Sequence, residues 1–177
     1  MSTTTIEEQL ARIRQRVSSL RARLHTDARA ERSRVERHLD ALHQEEESLR
    51  AAARGAPDEV EERLGRLRTR LDVAEHAFAA DSSRDWETFA GAVESELRSW
   101  DTYLERLQTS AASRAWKARE RAEAAIGNVR TRRIAVDERL AEAREAAGDE
   151  LQNRRERVSA ARDELEEKAD ELSAKLR

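Results

Sequence analysis

Apolar residues recur along this chain at alternating intervals of four and three. Ile6, Leu10, Ile13, Val17, Leu20 and Leu24 open the series, and Val60, Leu64, Leu67, Leu71, Ala74 and Phe78 repeat it. Such a spacing returns to one stripe of an α-helix, so both runs read as seams of helices packed in a coiled-coil manner. Thr4 and Thr5 stand three residues ahead of Glu7 and Glu8, a capping-box pattern that places a helix start there. The register slips between Leu24 and Val35, where Asp27, Glu31 and Arg32 take the seam positions, and resumes through Leu39, Leu42 and Leu49. The slip reads as a stutter inside one long helix, in preference to a break at His25-Thr26-Asp27.

Gly55-Ala56-Pro57 is the clearest punctuation, since Gly suits a helix C-terminus and Pro57-Asp58-Glu59 a first turn. Asp81 to Asp85 offers capping residues, yet the seam runs on through Trp86, Phe89, Val93, Leu97, Trp100, Leu104 and Leu107, which favours continuity. Thr109 to Ser113 lacks large apolar residues and holds the second expected turn, with Gly127-Asn128 as its rival. A last seam runs from Val129 through Val136, Leu140, Leu151, Val158, Leu165 and Leu172 to Leu176, and Gly148 weakens that helix without ending it. The expected fold is all-α: one domain over residues 1–177, an elongated antiparallel three-helix bundle with helices at about 5–54, 57–109 and 113–177. The first two would each be about 75 Å long. A turn near Gly127 would make it a four-helix bundle instead.

Composition sharpens this picture. Ala, Glu, Lys, Leu and Arg make up about 60% of the chain, as in long helices. Leu, Ile, Val and Phe reach only about 18%, a value that alone suggests disorder. The net charge of only -3 and the regular apolar spacing argue for a fold with a thin, Ala-rich core. There is no Cys, which excludes disulfides, thiolate metal sites and Cys nucleophiles. No basic start with an apolar run precedes the first helix, and a cytoplasmic location is the expectation. The strong excess of Arg over Lys reads as a GC-rich bacterial genome.

The aromatic residues lie between Phe78 and Trp116. Trp86 and Trp100 share a helix face and read as core, whereas Trp116 falls off the seam and is the best candidate for an exposed aromatic. Residues 12–34 and 114–133 are rich in Arg, and in an up-down-up bundle they would gather toward one end. Complementary charge that fixes helix register is the plainer reading of these stretches. A possible interaction surface comprises Arg14, Arg21, Arg29, Arg32, Arg114, Trp116, Lys117, Arg121, Arg132 and Arg133.

Catalytic signatures are not found. No Glu-x-x-His or HExxH motif is present, and the Gly residues are scattered singly, so the sequence offers no catalytic, cofactor or metal assignment. His38, His43 and His76 read as solvated or core-edge side chains, with a weak metal site as the lesser alternative. The function that follows is a structural or protein-interaction bundle, a scaffold that self-associates or binds a partner, and not an enzyme. Binding of anionic lipid or lipid-droplet surfaces and nucleic-acid binding through residues 12–34 and 114–133 are the alternatives.

Overall fold

The computed structural model describes residues 3–27, 32–55, 59–112, 116–146 and 151–175, with the side chains of 3–5 and 54–55 left aside. The described chain is all-helical. It contains α1 (Thr3–Thr26), α2 (Arg32–Gly55), α3 (Val60–Asp81), α4 (Trp86–Ala112), α5 (Trp116–Glu145) and α6 (Leu151–Lys175). No described helix is long and apolar enough to cross a membrane.

The expected three-helix bundle is therefore corrected to six helices. Each of the three long helices is divided near its middle: α1 ends at Thr26 and α2 begins at Arg32, α3 ends at Asp81 and α4 begins at Trp86, and α5 ends at Glu145 and α6 begins at Leu151. The alternative turn at Gly127 is also overturned, because that residue lies inside α5. At 82–85 the local chemistry of the reversal is visible. The N–H groups of Ser82 and Ser83 close the last turn of α3 on the carbonyls of Phe78 and Ala80. Asp85 then caps α4, accepting the Thr88 N–H at 2.8 Å and the Thr88 hydroxyl at 2.8 Å. Those two donors lower the pKa of the Asp85 carboxyl, the backbone N–H contributing most. Arg155 of α6 covers the end of α3, donating to the carbonyls of Ser83 at 2.7 Å and Ala80 at 3.3 Å.

Successive helices run antiparallel. Arg14 pairs with Glu46 between α1 and α2, Arg63 donates to Ser48 between α3 and α2, and His76 meets Ser99 between α3 and α4. Asp101 pairs with Arg133 between α4 and α5, and Arg132 with Glu164 between α5 and α6. The short helices change the charge geography. The basic part of α1 runs toward the end where α1 and α3 finish, whereas the basic part of α5 starts at the opposite end. The expectation that both stretches share one end is thus corrected.

Two apolar cores result. One joins α1, α2 and α3 through Ile13, Leu20, Leu24, Val35, Leu42, Leu64, Leu71 and Phe78. The other joins α4, α5 and α6 through Phe89, Val93, Trp100, Leu104, Val129, Val136, Val158 and Leu165, with Val73 and Ala80 of α3 reaching into it. Trp100 is wholly buried, as its seam position requires, and Trp86 is half-buried against Phe89. Ala77, Ala80 and Ala90 keep α3 and α4 close, and at Gly65 an added Cβ would lie 2.5 Å from Nη1 of Arg106.

Candidate functional site

Charged side chains fill the seam where the two cores meet. Arg34 and His38 come from α2, Arg70 and Asp81 from α3, Glu96 from α4, and Arg162 and Glu166 from α6; all are buried. Arg34 and His38 are four residues apart, as are Arg162 and Glu166, so each pair projects from one helix face. Asp81 is the hub. Its Oδ1 accepts from Nη1 of Arg34 at 2.6 Å and from Nη1 of Arg162 at 2.8 Å. Arg162 also grips Glu96 Oε2, with Nε at 2.9 Å and Nη2 at 2.7 Å. Glu166 accepts from Nε2 of His38 at 3.0 Å and from Nη2 of Arg37 at 2.8 Å, with Nε of Arg34 at 3.4 Å. Asp163 joins from the rim, within 3.1 Å of both Arg34 and Arg37.

A second group extends the seam toward the other end of α3. The guanidinium of Arg70 lies 4.5 Å from the Trp100 ring centroid and 5.6 Å from that of Tyr103. Its Nη2 reaches Asp170 at 3.5 Å. The Tyr103 hydroxyl donates to Glu45. Burial raises the pKa of the Glu45 carboxyl despite that hydrogen bond and the charges of Arg66 and Arg70. Burial, and then the charge of Glu45, also raise that of the Tyr103 hydroxyl.

The electrostatics of Glu166 run the other way. Burial alone would raise its pKa, but the charge and hydrogen bond of His38, with Arg34 and Arg37, outweigh burial and lower it from 4.5 to about 2. Burial likewise works against the charged form of Arg162, and the carboxylates of Glu96 and Asp81 reverse that, so its pKa is raised. A depressed carboxyl stabilises the fold above its unfolded pKa, and that contribution is lost as pH falls from about 4.5 toward 2. Two and a half units amount to about 3 kcal/mol. The opposite effect of Glu45 is confined to pH above its ordinary value; Asp85 and Glu171 are lowered as well but stand in solvent, so the buried Glu166 carries the largest share of the acid limb between 4.5 and 2. Urea unfolding across this range should lose about 3 kcal/mol in the native chain, and Glu166→Gln should flatten that slope.

His38, Glu96 and Glu166 place one ligand atom each within 4.8 Å of one another, a spacing that a metal ion could bridge. The donor set nevertheless already carries cations. Arg34 and Arg162 contribute two buried positive charges against the three carboxylates of Asp81, Glu96 and Glu166. A divalent ion would have to displace a guanidinium or lie beside two of them. The arrangement suits a register lock across four helices better than an open coordination site. Of the other histidines, His43 is exposed 3.6 Å from Glu47, and His76 Nδ1 lies 3.0 Å from the Ser99 hydroxyl.

The residues singled out as a possible surface do not form one patch. Arg14 pairs with Glu46, Arg132 with Glu164, and Arg133 with Asp101 and Asp137. Arg21 lines a shallow groove between α1 and α2, and Arg32 is exposed at the start of α2. Arg29 and Arg114 lie outside the described residues. Trp116, Lys117 and Arg121 are all exposed on the first turns of α5, Trp116 at 75%. Ile134, 53% exposed, joins Trp116 on the same helix. The two are 18 residues apart, five turns of an α-helix, so they share one line along its surface, about 27 Å long. The core side of α5 is formed by Ala122, Ala125, Ile126, Val129, Val136, Leu140 and Ala143, so Trp116 and Ile134 are two apolar anchors on the otherwise polar side turned away from the core.

No protein family, curated protein or solved structure matches this chain.

Proposed function

We propose that this chain is a structural, protein-interaction bundle without catalysis of its own, and that it docks another helix on the outward face of α5. The observation that carries this is the outward line of Trp116 and Ile134 on a helix whose opposite side already fills the core. A tryptophan held three-quarters in water contributes little to the fold and offers a large anchor to a partner. The buried ionic seam supports the same function by fixing the helices that hold α5 in place.

The spacing favours a protein partner over anionic lipid. Lys117, Arg119, Arg121 and Arg130 make this stretch basic, but Trp116 and Ile134 stand about 27 Å apart with Glu120, Glu123 and Gly127 between them, too sparse an apolar face to lie in a headgroup layer. Arg14, Arg132 and Arg133 are committed to carboxylates, which supports a role in register more than in nucleic-acid binding. The test is capture by the immobilised chain, comparing the native sequence with Trp116→Ala/Ile134→Glu and counting copies of the chain itself among the captured species. Loss of the captured species in the variant is expected. An unchanged profile, or salt-sensitive binding of DNA that is indifferent to these substitutions, would remove the proposal.

A further inference from the structure

We infer that the partner of the α5 face is a second copy of this chain, bound antiparallel about a two-fold axis level with Ala125; this rests on the interaction reading above. The line of exposed residues is self-complementary when reversed. In a pairing where positions 116 and 134 meet, Trp116 of each copy packs on Ile134 of the other at both ends of the contact. Inside these, Glu120 faces Arg130 of the second copy, and Glu123 faces Gly127. Apolar thus meets apolar at both ends and acid meets base one turn inside them, as an isologous interface requires, while Lys117 stands level with an Arg133 already neutralised by Asp101 and Asp137.

The structure supplies the pieces this register needs. Glu120 is exposed and has no ion-pair partner among the described residues. Arg130 lies on the α4 edge of the face, held there by its 2.7 Å hydrogen bond to Gln108 of α4, so it is a positioned cation and not a free arm. Arg119 is tied to Glu123 within α5 at 2.7 Å, which keeps both groups along the helix instead of across the contact. Gly127 is exposed, and a Cβ there would meet nothing within 4 Å, so nothing inside the monomer calls for a glycine. A glycine inside a helix costs about 1 kcal/mol relative to alanine. Its use is explained where two helix backbones approach each other near a two-fold axis.

Sedimentation equilibrium of the full chain from about 1 μM to 1 mM tests the inference. A monomer–dimer equilibrium is expected. Trp116→Ala/Ile134→Glu should weaken it by about 100-fold, because both apolar anchors are lost twice. Gly127→Arg should weaken it by about tenfold or more while leaving helicity intact and the melting temperature unchanged or higher, so that unfolding cannot explain the loss. Charge reversal supplies the register test. Glu120→Arg and Arg130→Glu should each weaken self-association, and an equimolar mixture of the two variants should restore it, since both cross-pairs are then opposite in sign. A chain that stays monomeric throughout the range overturns the inference, as does a dimer indifferent to Gly127→Arg or a mixture that fails to recover. A monomer that still captures a different protein through Trp116 and Ile134 would overturn the second copy and leave the interaction reading standing.

Discussion

Arg162→Met is expected to destabilise the bundle by about 3–5 kcal/mol, measured by urea unfolding at neutral pH. Methionine fills much of the arginine volume, so the loss reports charge and not a cavity. Glu96 would lose its guanidinium partner in a wholly buried position, and Asp81 would be left with Arg34 alone. Glu96 Oε1 and Asp81 Oδ2 already lack a hydrogen-bond partner among the described residues, so neither carboxylate has a reserve contact to fall back on. The double variant Arg162→Met/Glu96→Leu should recover most of the loss, because a buried pair replaced by apolar groups of similar size leaves no stranded charge. If the double variant is as unstable as the sum of its single variants, the seam is not the paired system described.

Trp100→Ala is expected to cost a similar amount, about 3–5 kcal/mol, through a different cause. The indole is wholly buried in the α4–α6 core and is also the surface on which Arg70 stacks, with Tyr103 edge-on at 5.8 Å and His38 at 6.2 Å. Its removal opens a cavity and deprives the buried Arg70 of its nearer aromatic partner, leaving the Tyr103 ring at 5.6 Å and a 3.5 Å contact to Asp170. Trp100→Phe keeps a ring face for the guanidinium and should recover more than half of the loss. A cost below about 1.5 kcal/mol for the alanine variant would mean that the seam collapses around the gap.

These two residues show what was legible in the chain and what was not. Trp100 sits in the heptad series, and its burial follows from spacing alone. Arg162 occupies the gap between Val158 and Leu165, four residues after one and three before the other, which is a seam position held by a charge. That gap was the available signal, but its meaning needed the partners. Glu96, Asp81 and Arg34 lie on three other helices and look in sequence like any solvated side chain. The same limit explains the three reversals. Periodicity states which face of a helix is apolar and is blind to whether the chain turns back. A 50-residue helix and two of 24 residues carry the same pattern, and the folded-back pair buries its stripe without a distant partner. The Gly55-Ala56-Pro57 break was readable because residue type decides it. At 82–85 the capping residues were visible, yet the seam across them argued for continuity.

Each apolar core belongs mostly to one half of the chain, residues before Asp81 in one case and from Trp86 onward in the other, with Val73 and Ala80 of α3 shared into the second. Hairpin contacts within a half close over short loops and form early. The seam joins groups as far as 129 residues apart and must strip water from guanidinium and carboxylate alike. Because α3 and α4 already meet across the short 82–85 reversal, the step expected to come late is the ionic docking of α6 on α2, testable by φ-values at Arg34 and Glu166. The stabilisation it gives acts mainly on how long the finished bundle lasts, and hardly at all on how quickly its halves form.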